Sequence, residues 1–336
     1  MTAPAPFPGR TFRPRVVVTR RLPPLIEARM TELFHTDLSL DDAPMDRAAL
    51  AAAVAQYDVL VPTITDRIDA ALIESAGPQL KLIANFGNGV DHIDLKAARA
   101  RGILVTNTPG VLTEDTADMA MALLLAVPRR LAEGERLVRA GAWQGWRPTG
   151  MLGHRISGKT LGIIGMGRIG QAIALRARGF GLSIRYHNRH RLPDVVERAV
   201  GAVFDPDLAD LLAASDFVSL NCPHNDETHH IIDAAAIGRM RPDAYLINIA
   251  RGELIDEEAL IEALESGRIA GAALDVYAHE PAVDPRLLAL ENVVLLPHLA
   301  SATIEAREAT GDRVIGNIRM WADGHRPHDQ VLEGWV

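Results

Sequence analysis

Leu161–Gly170 reads LGIIGMGRIG and runs straight into QAIALRARGF. A short apolar run (Leu161, Ile163, Ile164) enters a loop with glycines at 165, 167 and 170, and the residues beyond carry apolar positions at helical spacing. The stretch therefore predicts strand, turn, helix. Gly165 allows a tight turn, Gly167 lets the backbone approach a pyrophosphate, and Gly170 lets the helix pack close to the strand. The helix start then offers unpaired amides and a positive dipole end to the phosphates. Glycine-rich turns also arise for purely structural reasons, but here the flanking periodicity favours a dinucleotide site.

Downstream, short apolar runs at Leu182–His187, Asp216–Leu220, Tyr245–Ile249, Ala270–Val276 and Val293–Leu296 predict further strands. Together they predict a doubly wound parallel sheet from Val111 to Leu296. Upstream, Arg15–Thr19 predicts a buried strand and Pro23–Leu33 a helix. Val59–Val61, Leu80–Asn85 and Ile103–Thr106 alternate with alanine-rich helical patterns. The first hundred residues thus read as a second α/β unit, one without a convincing GxGxxG. The fold class is α/β, with two Rossmann-like parallel-sheet domains. Asn107–Gly110 (NTPG) reads as a domain crossing, after which Thr113 can cap a long helix with Glu114 and Asp115 in its first turn. The helical pattern after His298 is expected to pack back on the first unit.

Composition narrows the function classes. The 336 residues carry a formal charge of −8, and no basic block exceeds a few residues, so nucleic acid is not an expected partner. The single cysteine, Cys222, excludes an internal disulfide and fits a reducing compartment. It follows an expected strand and reads as a small buried thiol. Residues 1–14 hold four prolines and read as a loose tail, not a signal peptide. Ala117–Val127 is too short to span a bilayer. A soluble, cytoplasmic protein without membrane contact is expected. His224, His229 and His230 lack a helical HxxxH pair with a third ligand, so no metal is assigned.

Ligands of open parallel sheets bind beyond the carboxyl ends of the strands. Arg251 follows YLINIA, Glu280 follows AGAALDVYAH, and His298 follows VVLLP. This trio suits hydride transfer to a 2-oxo acid. The guanidinium can hold the substrate carboxylate and polarise its carbonyl, and the imidazolium can donate a proton to the carbonyl oxygen. Glu280 would favour the charged imidazole and fix its orientation. In the first unit, NFGNGVDHID (85–94) places two glycines and an Asn after a strand, a turn able to aim amides at a small anion. A plain glycine-rich turn is the competing reading. Trp143 and Trp146 sit in an irregular stretch, which suggests a surface buried by a partner subunit or else a local cluster.

GMGRIG, NIARGELIDEEAL, GAALDVYAHEP and LLPHLASAT, in this order, resemble the D-isomer-specific 2-hydroxyacid dehydrogenases. NFGNGVDHID and HNRHR are similar to the glyoxylate/hydroxypyruvate and 2-ketogluconate reductase branch. The resemblance runs from about Leu80 to Thr303. It implies a discontinuous, flavodoxin-like substrate-binding domain, residues 1–109 and 298–336, and a Rossmann domain, residues 110–297. It also implies catalysis by Arg251, Glu280 and His298, substrate-carboxylate binding by the Asn88 and Gly89 amides, and a homodimer formed through the cofactor domains. Asp275 would lie near the nicotinamide carboxamide, and the Trp146 loop would reach toward the partner's active site. Ser301 joins the expected substrate residues. The expected cofactor residues are Gly165, Met166, Gly167, Arg168, Ile169 and Gly170 of the loop. Thr113, Cys222, Pro223, Ile249, Ala250 and Ala300 are added around it.

The second strand of the cofactor domain ends in Asn188, Arg189, His190 and Arg191 with no carboxylate in the turn. In NAD-preferring sites an acid there binds the ribose 2′-OH. Here Asn188 can bond the ribose, while Arg189, helped by Arg191, would neutralise a 2′-phosphate. NADPH is therefore the expected cofactor, with NADH possible. The expected reaction is reduction of glyoxylate or hydroxypyruvate to a D-2-hydroxy acid. A larger 2-oxo acid (2-ketogluconate, phenylpyruvate) and a dinucleotide-sensing corepressor role are the alternatives.

Overall fold

A computed structural model describes residues 12–332 of the chain, which divides into two units. One runs through Leu112 and resumes at Ala302; the other is Thr113–Ser301. The proline-rich stretch read as a tail lies, through residue 11, outside the described residues.

In the first unit β1 (Arg15–Val18), β2 (His35–Asp37), β3 (Val59–Val61), β4 (Leu82–Ala84) and β5 (Leu104–Thr106) form a parallel sheet in the order β2-β1-β3-β4-β5. The crossovers are α1 (Pro24–Leu33), α2 (Arg47–Gln56), α3 (Ala70–Glu74) and α4 (Leu95–Ala100). Aspartates start three of them: Asp46, Asp69 and Asp94 accept the amides of Ala49, Leu72 and Ala97.

The second unit opens with α5 (Thr113–Ala126) and α6 (Leu131–Arg139) and continues through β6 (Thr160–Ile164), α7 (Arg168–Gly179), β7 (Ser183–His187), α8 (Asp194–Val200) and β8 (Ala202–Phe204). It then runs through α9 (Leu208–Ala214), β9 (Phe217–Leu220), α10 (Ala234–Arg239), β10 (Tyr245–Asn248), a 3₁₀ turn at Gly252–Leu254, α11 (Glu257–Glu265), β11 (Gly271–Leu274), α12 (Pro285–Ala289) and β12 (Val293–Leu295). The sheet order is β12-β11-β10-β9-β6-β7-β8, which puts the strand of the glycine loop between β9 and β7, where the order reverses. Its inner strands are mainly apolar because both faces are covered. Leu161 and Ile163 of β6 pack with Leu124 and Ile173, from α5 and α7, while Ile164 packs with Leu211 and Leu260, from α9 and α11. The alternation is that of successive strand side chains pointing to opposite faces.

The last helix, α13 (Ile304–Ala322), starts at Thr303, whose hydroxyl accepts the Ala306 amide. Its Val314, Ile315 and Ile318 join Val16, Ile26 and Leu82 in the core of the first unit. A Cβ on Gly311 would fall 2.5 Å from Ile26, so glycine is what admits α13 against α1.

Some expectations need correction. The strands β2 and β8, not expected from the sequence, lie at sheet edges with three residues each; β2 (HTD) is polar, and β8 (AVF) is a short apolar run whose Val203 is exposed. Thr113, expected as a cap, is the first helical residue of α5. Residues 298–301 belong with the second unit, not the first. The reason is physical: the amides of His298, Leu299 and Ala300 all bond Asp275 at the end of β11. No helix among the described residues is long and apolar enough to cross a membrane.

Candidate active site

The glycine loop follows β6. Gly165 has a φ of +96°, and a Cβ there would sit 2.4 Å from the Cys222 nitrogen, so glycine is required twice over. A Cβ on Gly170 would sit 2.4 Å from the Gly165 carbonyl oxygen, which lets α7 start hard against β6. Gly167 differs: nothing lies within 4 Å of where its Cβ would be, and it is the residue before α7. Open space beside a helix N-terminus, reached by a left-handed turn, fits the pyrophosphate of a dinucleotide. Arg168 and Ile169 begin α7, and the Met166 side chain is buried in the core, so only its backbone can serve a ligand.

The turn after β7 is tied to this loop. Asn188 Oδ1 accepts the Met166 amide at 2.7 Å. Arg189 Nη1 lies 2.9 Å from Glu227 Oε2, a pair exposed to solvent on both sides. Arg191 is placed differently from expectation: its guanidinium grips the carboxylate of Glu197 with two hydrogen bonds, at 2.9 and 2.8 Å. Glu197 also accepts the Tyr186 hydroxyl at 2.6 Å. Arg191 and Tyr186 hold the Glu197 carboxyl down to about 2, and burial together with Glu197 pushes the Tyr186 hydroxyl up to about 12. Arg191 therefore braces the turn, and its charge is already balanced.

At the ends of β10, β11 and β12 the expected trio appears on three loops of the same unit. Asn248 closes β10; its Oδ1 accepts the Ala250 amide at 3.0 Å and its Nδ2 donates to the Arg251 carbonyl at 2.8 Å. Arg251 Nη1 donates to the Ala250 carbonyl at 2.7 Å. A Cβ on Gly252 would fall 1.9 Å from the Tyr277 carbonyl carbon, so the loop carrying Arg251 lies directly on the loop leading to Glu280. Glu280 Oε1 accepts the Tyr277 amide at 3.1 Å, and Glu280 Oε2 lies 2.8 Å from His298 Nδ1. Burial pushes the Glu280 carboxyl up, but the His298 hydrogen bond and charge, the Tyr277 amide and the Arg251 charge together leave it below the usual carboxylate value. His298 holds a left-handed backbone, φ +52°, a strained conformation for a residue with a Cβ.

Asp275 is fully buried, and its two carboxylate oxygens receive the Leu299 and Ala300 amides at 2.8 Å each. Burial raises its carboxyl despite those two amides. Its side chain thus serves the His298 loop. Tyr277 sends its hydroxyl to the Leu296 carbonyl at 2.8 Å. Asn248 and Tyr277 were not singled out from sequence. The available signal for Asn248 was a polar residue ending an apolar strand, which a buried position tolerates only when bonded.

The other expected residues distribute as follows. Ile249 is buried and Ala250 half-buried, at the end of β10. Cys222 backs onto Gly165, and burial pushes its thiol up to about 11. Pro223 is exposed beside it, Ala300 is buried and Ser301 half-buried. Trp146 is 83% exposed and Trp143 61%. His224 and His229 share a hydrogen bond, and no grouping of ligands able to hold a metal occurs among the described residues. In the first unit, the buried Asn85 side chain donates to the carbonyls of Gly87 and Gly89, and Asn107 donates to that of Asn88. The turn that holds Asn88 and Gly89 is therefore fixed through its carbonyls.

A family model described as D-isomer specific 2-hydroxyacid dehydrogenase, NAD binding domain, matches residues 121–300. The chain is 46% identical over 324 residues to the glyoxylate reductase of Thermococcus litoralis, covering 95% of this chain and 97% of that protein. It is 47% identical over 322 residues to the glyoxylate reductase of Korarchaeum cryptofilum, covering 95% and 96%. Among solved structures, the NADPH-dependent glyoxylate/hydroxypyruvate reductase of Sinorhizobium meliloti, in complex with NADP and malonate, superposes with a TM-score of 0.85 at 37% identity, over 96% of this chain and 98% of that one.

Proposed function

The chain belongs to the D-isomer-specific 2-hydroxyacid dehydrogenases, on their glyoxylate reductase branch, and from that premise we propose that it is an NADPH-preferring reductase of glyoxylate and hydroxypyruvate. As an oxidoreductase of CH–OH groups it takes a nicotinamide dinucleotide, and the loop with an open Gly167 and a left-handed Gly165 fits one.

The observation that carries the reading is the 2.8 Å contact of His298 Nδ1 with Glu280 Oε2. With Nδ1 held by a carboxylate, Nε2 is left to exchange a proton with substrate. A bound reduced nicotinamide supplies the hydride to the 2-oxo carbon. His298 gives its Nε2 proton to the carbonyl oxygen as that oxygen gains charge, and Glu280 stabilises the imidazolium before transfer. Arg251 presents paired donors to the substrate carboxylate and carbonyl, aimed by its own bond to Ala250. The Asn88 and Gly89 amides are assigned to the same carboxylate, with Ser301 and Trp146 as further substrate residues.

Arg189 supports the NADPH preference, since Arg191 is engaged with Glu197. For the homodimer, the support is an apolar surface on the second unit: Leu131, Val138, Trp143, Trp146 and Leu152 are each more than half exposed. The single Cys222 suits a reducing compartment such as the cytoplasm.

Steady-state oxidation of NADPH and NADH against glyoxylate, hydroxypyruvate, 2-ketogluconate and phenylpyruvate tests the reading. The expected result is the highest kcat/KM with NADPH and one of the two smaller acids. His298→Gln should keep NADPH binding and lose turnover by about 10²–10⁴-fold. Tight NADPH binding without turnover on any of the four would overturn the reading. Sedimentation of the intact chain tests the dimer.

A further inference from the structure

We propose that Glu227 sets the selectivity of this chain for a 2′-phosphorylated dinucleotide, as the internal counter-ion that the phosphate must displace from Arg189. The inference rests on the NADPH reading above and adds a residue to it.

Because β6 lies between β7 and β9, the loops that follow those two strands flank the glycine loop on either side. Both are fastened beside it, one through a side chain and one through backbone. Asn188 takes the Met166 amide on one side, and the Asn221 amide donates to the Ile164 carbonyl on the other. Arg189 and Glu227 then reach from the two loops and meet at 2.9 Å. Glu227 is held in place to do so. Its amide and that of Thr228 donate to Asn225 Oδ1 at 2.9 and 3.1 Å, and the Thr228 hydroxyl donates to the Pro223 carbonyl at 2.7 Å.

The pair is built to exchange. Its side chains are 71% and 68% exposed, so water competes for both and the net attraction is small. A phosphate monoester carries up to two negative charges and three acceptor oxygens, and a guanidinium can take it with two parallel hydrogen bonds. Glu227 thus opposes a 2′-phosphate twice, by occupying Arg189 and by repelling the anion. A ligand with a free 2′-hydroxyl leaves the pair intact and meets neither effect. Arg191 is less available than Arg189, since two of its five N–H donors end on the buried Glu197 carboxylate.

The test is calorimetric titration of the full chain with 2′,5′-ADP, which carries the phosphate, and 5′-AMP, which does not. Glu227→Gln and Glu227→Ala should each tighten 2′,5′-ADP by about two- to fivefold. Both should leave 5′-AMP unchanged. Arg189→Gln should weaken 2′,5′-ADP alone, and adding Glu227→Gln to it should bring a smaller gain than in the wild-type background, the part due to repulsion. If Arg189→Gln weakens 2′,5′-ADP but the Glu227 variants fail to tighten it, or tighten both ligands equally, the role of Glu227 is overturned while that of Arg189 stands. If Arg189→Gln leaves both affinities as they were, the NADPH reading itself falls.

Discussion

The carbonyl oxygen of Asp275 accepts the His298 amide at 2.8 Å, and the carboxylate of the same aspartate takes the next two amides along the chain. One buried residue at the end of β11 therefore fixes the backbone on which the proposed proton donor is mounted, and holds His298 in its left-handed conformation. The strain is offset by three bonds that all lead to Asp275.

Asp275→Asn is expected to break this arrangement. An amide side chain offers one oxygen where two donors need acceptors, and its own NH₂ would face the other N–H. An unmet buried donor costs about 1–3 kcal/mol. Thermal melting should show that loss, and kcat should fall by about 10- to 100-fold, since a misplacement near 1 Å can cost about that much. A variant with unchanged kcat would remove Asp275 from the mounting of His298.

Glu280→Gln keeps the shape of the side chain and removes its charge. Turnover should fall by about 10²-fold. The stability effect has a definite sign. The Glu280 carboxyl lies below its usual value near 4.5 in the folded protein, so its contribution is present above that value and disappears as pH falls through the folded value. Melting curves collected across the acid range should show the wild-type advantage over Glu280→Gln shrinking as pH falls below about 4.5. An advantage that persists undiminished through the acid range, below the pH at which the carboxyl is protonated, would contradict the pairing with His298.

Gly165→Ala and Gly167→Ala should separate folding from binding. The first forces a Cβ to 2.4 Å from the Cys222 nitrogen at a φ of +96°, and should yield little folded protein. The second places a methyl group in empty space at a φ of −76°, and should melt close to wild type. It should nonetheless weaken NADPH by about tenfold or more, because the methyl group occupies the approach of the pyrophosphate. Unaltered affinity in Gly167→Ala would show that the dinucleotide does not lie there.

Cys222 is the one cysteine of the chain, so its chemistry can be read from intact mass. With burial pushing the thiol up to about 11, only about one molecule in a thousand carries a thiolate at pH 8. Iodoacetamide should label the folded protein far more slowly than the protein unfolded in urea. Equal rates would mean that the thiol is solvated.

What the sequence disclosed and what it hid follow from where each interaction partner lies. The glycine loop was legible because its reasons are local: a turn, a helix start and an apolar strand within twenty residues. Arg251, Glu280 and His298 were legible because each stands just beyond an apolar run. Asp275 was placed near the cofactor by family resemblance, yet its two amide partners lie 24 and 25 residues further on, a separation that no periodicity marks. Arg191 looked like a second phosphate ligand because the cluster 189–191 is basic. The Glu197 that neutralises it sits six residues away, on a helix whose facing could not be read from its sequence. The edge strand β2 gave no signal, since a strand with one open side need not be apolar, and β8 gave only the three-residue run Ala202–Phe204, too short to stand out.

The placement of α13 has a consequence for biosynthesis. The second unit is one continuous segment, Thr113–Ser301, and can fold as soon as it leaves the ribosome. The first unit cannot, because Val16, Ile26 and Leu82 wait for Val314, Ile315 and Ile318 to cover them. At about 5–20 residues per second the delay between the two segments of the first unit is on the order of ten seconds or more. During that time the amino-terminal third of the nascent chain carries an uncovered apolar sheet face, so the part of the protein made first is the part completed last.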